Sequence, residues 1–253
     1  AASAECSLVG DSRRAPAHHA ALINGTAAHA LDYDDYELAG RTHPSVTLVP
    51  VVLALGERHA ASGRAALGAY LVGYELIQLV GAALGPTDYL NGFHSTATTG
   101  TLGATACACA MLGLDAPAVE TALGIGSSLA AGVRVNFGTD VKPLHAGQAA
   151  ANGVLAATLA AGGFSASDGA IERDLGFAFC HAPTERHRLA GQVERLFARE
   201  IGITASPPTR KPYAACGGTH SAIGAALTLR RKTASLDAVE QIVVEGAEQY
   251  AGV

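Results

Sequence analysis

Two lysines in this chain stand directly before prolines: Lys142 in "FGTDVKPLHAGQAAANG" and Lys211 in "TRKPYAACGGTH". Arginine outnumbers lysine 14 to 3, so a lysine is less easily read as generic surface charge here than in a lysine-rich chain. A residue before proline is biased out of the helical region, and proline is favoured at the first helical position. Lys142 is therefore expected at the mouth of a helix, where backbone N–H groups and the dipole attract anions. His145 falls in the first turn of that helix and could face the same place. The pattern recurs in His43-Pro44-Ser45 and in His94-Ser95-Thr96. Each of these groups has a bland reading as a capping, packing or linker residue. Three helix mouths that each present a titratable or cationic side chain would suit a small molecule with several carboxylates.

The acidic partner is "HALDYDD". If the helix before it continues, His29, Asp32 and Asp35 are spaced i, i+3, i+6 and share one face. An Asp32–His29 contact could then tune a base. The alternatives are a solvated helix end and a magnesium site, because Asp34-Asp35-Tyr36-Glu37 loosely resembles the aspartate-rich motif of isoprenoid synthases. A carbocation pocket wants aromatic walls, and only 5% of this chain is aromatic.

The elements that must position these groups read as helices. The pattern predicts helices over 16–31, 45–60 and 64–84, from about Ser95 to Leu112, from Asp115 as N-cap to about Ala131, and from Lys142-Pro143 to about Ala161. Residues 164–188 read as short helices and loops. "RLAGQVERLFARE" and "GTHSAIGAALTLRRK" give two more helices. "ASPPTRKPY" is a proline-marked junction, and "QIVVEG" is the first convincing strand signal. A lone strand cannot bury itself, so a second, α/β region is expected to begin near the C-terminal end. The fold class is therefore mainly α: a large all-helical domain over 1–206, then the beginning of a smaller α/β lid domain over 207–253. The abrupt start reads as the middle of a longer protein.

Composition agrees and excludes other classes. The chain has 253 residues and is 49% hydrophobic, much of it alanine, with no tryptophan. Such an interior suits close-packed helices, since alanine is the best helix former and is depleted in strands. Gly100, Gly103 and their small neighbours let helices approach closely. A net charge of −5 argues against a general nucleic-acid binder. Five cysteines without a CxxC pair favour reduced, cytosolic thiols; Cys107 and Cys109 read as core packing. The longest uncharged run, residues 89–114, carries Asn, His, Ser and threonines and reads as a buried helix with its lead-in rather than a membrane span. No glycine-rich phosphate loop follows a strand, so no nucleotide site is expected.

Four blocks, "NGTAAHALDYDD…HPSVTLVPVVLALGE", "GFHSTATTGTLGATACACAMLGLD", "FGTDVKPLHAGQAAANGVLAA" and "RKPYAACGGTHSAI", resemble the MmgE/PrpD family, in order and from about residue 15 to the end. That family includes 2-methylcitrate dehydratase, cis-aconitate decarboxylase and iminodisuccinate epimerase. The resemblance implies an all-helical domain with an α/β lid, a homodimer, and catalysis without metal or organic cofactor. It implies catalytic roles for Asp32, His43, His94, Lys142 and Lys211. The loop "YELAGRT" would line the pocket, placing Tyr36 and Arg41, with His145, as substrate-binding residues. Tyr36 stands where some members carry a small hydroxylated residue, and "FHSTAT" departs from the "WHPT" form of many members.

The activity implied is that of a cofactor-independent lyase or isomerase acting on a small di- or tricarboxylate through a carbanion or enolate-like species. A 2-methylcitrate dehydratase-like reaction comes first; decarboxylation or epimerisation is the alternative within the family. His94 or His43 would transfer the proton, with Asp32 orienting or charging a partner. Lys142 would bind a carboxylate and hold the developing charge, and Lys211 would come in with the lid. A metal-dependent isoprenoid enzyme and a non-catalytic helical scaffold are the competing classes. A cytoplasmic protein without nucleic-acid or membrane partners is expected.

Overall fold

The computed structural model describes residues 5–198 and 202–246. It opens on a two-residue antiparallel ladder, β1 (Cys6–Ser7) with β2 (Arg14–Ala15), which nothing in the sequence pattern announced. Helices follow: α1 (Ala17–His29), α2 (Pro44–His59), α3 (Gly63–Leu84), the single turn α4 (Thr87–Leu90), α5 (Thr99–Leu112), α6 (Ala116–Leu129), α7 (Val141–Ala161), α8 (Phe177–His181), α9 (Arg188–Phe197) and α10 (His220–Lys232). The chain is mainly helical, as its alanine content requires. Asp115 caps α6 as its position predicts, with Oδ1 accepting from the Ala118 N–H at 3.0 Å.

Helix α5 is the central rod, with every residue from Thr99 to Cys109 buried. Two of its three threonine hydroxyls are satisfied by main-chain carbonyls one turn back. Thr101 Oγ1 donates to the Ala97 carbonyl at 2.6 Å, and Thr105 Oγ1 to the Thr101 carbonyl at 2.8 Å. Small residues set the helix spacing. A Cβ on Gly103 would lie 2.9 Å from the Gly73 carbonyl, so α3 and α5 touch backbone to backbone. Helices α1 and α7 form the most extensive pairing. A Cβ on Gly25 would stand 2.8 Å from the Gly147 Cα, so only glycine fits. That antiparallel contact sets the C-terminal end of α1 beside the N-terminal end of α7, and with them His29 beside Lys142 and His145.

Three expectations need correction. Lys142 lies inside α7, not before it, with Val141 ahead of it and Pro143 after it. The steric bias against a helical residue before proline is overcome in this first turn, where Pro143 lacks only an N–H that has no intrahelical acceptor. Residues 95–98 form turns rather than the start of α5, because the backbone there bends to bring His94 inward. Residues 241–246 form no ladder, and Ile242, Val243 and Val244 are exposed; extended backbone needs an edge to pair with, and none adjoins it among the described residues. The predicted helix of "RLAGQVERLFARE" ends outside the described residues at its last two positions. Helix α3 is long and apolar enough to cross a membrane, but about half of it is buried inside the helical body.

Candidate active site

Five separate segments converge at one end of the body. His29 closes α1, His43 precedes α2, His94 sits in the turn before α5, Lys142 and His145 lie on one face of the first turns of α7, and Lys211 follows the proline junction. The centre is Asp32. Lys142 Nζ donates to its Oδ2 at 2.6 Å, and Lys211 Nζ donates to its Oδ1 at 2.5 Å and to its backbone carbonyl at 2.8 Å. Asp32 adopts φ +48°, the left-handed region that non-glycine residues rarely occupy. This turn ends α1 and swings the carboxylate towards α7. Burial opposes ionisation of Asp32, yet hydrogen bonds from the two lysines hold its carboxyl below the ordinary range.

The junction is sewn onto the helical body. Tyr36 and Thr209 exchange backbone hydrogen bonds of 3.0 and 2.7 Å, while Tyr74 Oη and Gln78 Nε2 both donate to the Ser206 carbonyl. Lys211 is thereby seated on Asp32. Buried Glu37 holds the preceding loop: its carboxylate accepts from the N–H groups of Ala39 and Gly40 at 2.6 Å each, and from Ser206 Oγ at 3.1 Å.

The histidines form a second layer around a different acid. His29 Nδ1 donates to Asp34 Oδ1 at 2.8 Å, so the expected Asp32–His29 contact is replaced by one with Asp34. The helical face assumed for His29, Asp32 and Asp35 does not exist, because α1 ends at His29. His43 Nδ1 lies 2.8 Å from Asp34 Oδ2 and 3.0 Å from the Asp35 carbonyl. Its N–H points at the carbonyl, leaving Asp34 Oδ2 as a close charge without a hydrogen bond of its own. Burial penalises the Asp34 anion, but the two rings override it and depress its carboxyl strongly. Burial also lowers His43 to about 4, against a smaller opposing pull from Asp34. Asp35 is pushed up by burial despite hydrogen bonds from Ser45.

His94 is 2% exposed, and its Nδ1 meets His145 Nδ1 at 3.1 Å. One of these nitrogens donates and the other accepts, so the pair shares one proton and each ring sets the tautomer of the other. Burial, then the neighbouring rings and Lys142, keep His94 well below its ordinary value. The His43 N–H donates to Thr96 Oγ1 at 3.1 Å, tying the two histidine-bearing turns together. Behind them, buried Asp88 accepts from Ser95 Oγ and Thr98 Oγ1 at 3.0 Å each and from His181 Nδ1 at 2.9 Å.

The fold thus assembles Asp32, His43, His94, Lys142, Lys211 and His145. Tyr36 lies against the cluster, its ring 5.5 Å from that of His43. Arg41 does not join it: Nη1 donates to the Gly85 carbonyl at 2.7 Å, drawn to the negative end of α3. Asp34 and Asp88 were not singled out as site residues. Asp34 stood in view in "DYDD", but its partner is fixed by where α1 stops. Two surface clefts flank α6, and none of the cluster residues lines either. Three imidazole nitrogens, one each from His29, His43 and His94, lie within 4.8 Å of one another, close enough to gather around a metal ion. Chemically, the cluster offers two ammoniums for carboxylates and neutral imidazoles for proton transfer in a nearly dry enclosure.

Comparison with known proteins gives the family of the chain. Human cis-aconitate decarboxylase is 37% identical over 174 residues, covering 67% of this chain and 36% of that protein. Mouse cis-aconitate decarboxylase is 33% identical over 202 residues, covering 77% and 41%. The Aspergillus terreus (strain NIH 2624 / FGSC A1156) cis-aconitate decarboxylase is 30% identical over 236 residues, covering 90% and 48%. The chain thus spans between about a third and a half of the length of these relatives. The model of the MmgE/PrpD N-terminal domain matches residues 1–189, which carry Asp32, His43, His94 and Lys142, and on that match the chain belongs to the MmgE/PrpD family.

Proposed function

We propose that the protein is a cofactor-independent lyase that decarboxylates a small tricarboxylate of the cis-aconitate type. The observation that carries the reading is the ion cluster of Lys142, Lys211 and Asp32 set against buried neutral His43 and His94. Dehydration of a 2-methylcitrate-like acid ranks second, because the matched relatives are named as decarboxylases.

The chemistry needs a place for charge and a source of one proton. When the carboxylate on the saturated carbon leaves as carbon dioxide, the electrons of the broken C–C bond form a new C=C bond. The old double-bond pair then moves to the carbon beside a retained carboxylate, and that carbon takes a proton. The two ammoniums stand beside the Asp32 and Asp34 carboxylates, so attraction for a substrate carboxylate comes from lysine N–H groups not spent on Asp32 rather than from net charge. Lys142 uses one of its three N–H groups on Asp32, and its side chain is 12% exposed, against 2% for Lys211. Lys142 is therefore the carboxylate-binding group, and Lys211 holds Asp32 in place. In this enclosure such a pair acts on developing charge more strongly than it would in water.

The histidines divide by their hydrogen bonds. His43 keeps its Nδ1 proton on the Asp35 carbonyl, which leaves Nε2 as a lone pair. His94, when Nδ1 accepts from His145, carries its proton on Nε2 and can deliver it to carbon. A homodimer in the cytoplasm is part of the same proposal.

The test is proton NMR of the full-length protein in D2O with chelator present, offered cis-aconitate, 2-methylcitrate, citrate and iminodisuccinate. Loss of carbon dioxide from cis-aconitate, with a new methylene alkene, is the expected result. Alkene formation from 2-methylcitrate with cis-aconitate untouched would replace decarboxylation by dehydration.

A further inference from the structure

We propose that His29, His43 and His94 form a site for a divalent transition-metal ion of the zinc or cobalt type, whose binding blocks the proton-transfer groups. The binding stands on geometry alone; the block rests on the function proposed above. One nitrogen of each ring lies within 4.8 Å of the others. Ligands around tetrahedral zinc, at Zn–N of about 2.0–2.1 Å, sit roughly 3.4 Å apart, so the rings need close by at most about 1.4 Å at the widest pair.

The tautomers suit a metal. Each Nδ1 is already engaged: His29 with Asp34, His43 with the Asp35 carbonyl beside Asp34, and His94 with His145. That leaves Nε2 as the nitrogen each ring could offer to a metal without breaking these contacts. His29 is 1% exposed and its Nε2 is buried with no hydrogen-bond partner. A buried polar nitrogen in that state is costly, and a metal ion would relieve it. One carboxylate against two imidazoles is also the support that metal-bound histidines use to fix ring orientation and raise basicity. Metal binding requires the His94 tautomer whose Nδ1 donates to His145, so that Nε2 carries the lone pair.

The charges facing the rings set the strength. The Lys142 and Lys211 ammoniums oppose a dication, while Asp32 and Asp34 favour it. With the lysines close by, the ion is a reversible inhibitor and not a resident structural metal. The alternative set of His29, Asp32, Asp34 and His43 would break the lysine–Asp32 bonds, whereas three imidazoles disturb none of the existing pairs.

The test is titration of chelator-stripped, full-length protein with Co2+, followed by visible absorption. One equivalent giving the bands of a four-coordinate ion, displaced by Zn2+, is expected. His29→Gln should weaken Co2+ binding at least tenfold, and Asp34→Asn by about 10–100-fold through loss of the support. Soaking wild-type crystals with Zn2+ gives a readout independent of whether either variant folds: an anomalous peak among the three rings supports the site. No Co2+ bands, bands unchanged in a folded His29→Gln protein, or a peak elsewhere would overturn it. If binding is found but the protein turns over no carboxylate, the functional reading fails and the metal site stands.

Discussion

Two aspartates with enclosed side chains, Asp88 and Asp34, hold histidines in the same way but meet different surroundings. Asp88 accepts from His181 Nδ1 at 2.9 Å, and Asp34 accepts from His29 Nδ1 at 2.8 Å. Around Asp88 the polar groups are matched by Ser95 and Thr98, and the His181 ring packs between Phe93 and Phe177 with centroids 4.3 and 4.2 Å away. Around Asp34 the rings of His29, His43 and His94 crowd together beside the lysine–aspartate cluster, and His29 Nε2 is left unpaired. A carboxylate–imidazole pair is thus structural or chemical according to what the far side of the ring meets. The Asp88 pair braces the turn that carries His94; the Asp34 pair aims rings into the site.

The largest expected effect lies on the charge-binding side of that comparison. Lys142→Met in the full-length enzyme should lower kcat by about 10²–10³-fold, the usual loss when one preorganised donor to developing charge is removed. Its melting temperature should stay near that of the wild type, since Lys211 still pairs Asp32. Steady-state kinetics beside a thermal melt separates the two.

Next come the paired acids themselves. Asp34→Asn can present an amide donor where His29 Nδ1 now meets an acceptor and removes the negative charge beside His43, so the His29 tautomer is no longer fixed. A fall in kcat of about 10²-fold with an altered pH profile is expected. Asp88→Asn should instead cost about 1–3 kcal/mol of stability and leave the shape of the pH profile unchanged. Equal changes of profile in both variants would erase the distinction drawn above.

The smallest effect is the response of the folded chain to acid. His43 is held at about 4 in the fold against an ordinary 6.5, so above pH 6.5 its contribution to stability is full. Between pH 6.5 and about 4 the unfolded chain takes up a proton that the folded chain refuses, and stability falls. His94 and His145 act in the same direction, and Asp35, raised by burial, acts against them. The unfolding free energy from denaturant titrations at stepped pH should therefore fall by an amount on the order of 2 kcal/mol over this window. His43→Phe should flatten part of that slope.

The fold was legible because alanine-rich helical periodicity, Asp115 before Pro117 and close-approach glycines are local signals. Gly103 packs against α3 as its surroundings suggested. The individual site residues were visible as types, since a histidine or lysine before proline stands out in so arginine-rich a chain. Their pairings were not visible. Whether Asp32 or Asp34 meets His29 depends on α1 stopping at His29 and on the left-handed turn at Asp32, and neither has a sequence signal stronger than the helical pattern that runs into it. Arg41 shows the same limit: its type suits a carboxylate, but the carbonyl at the end of α3 lies nearer. Residues 241–246 carry the β-branched run of a strand, yet a strand is a property of two segments.

The central claim is that this cluster guides charge and one proton at a carbon beside a carboxylate. Its most direct test is turnover of cis-aconitate by the full-length protein in D2O, with the deuterium located in the product. The account predicts one deuterium on the carbon next to the retained carboxylate, on a single face, at a rate greatly reduced in Lys142→Met. Deuterium on both faces, or a Lys142→Met enzyme that keeps the wild-type rate, would contradict it.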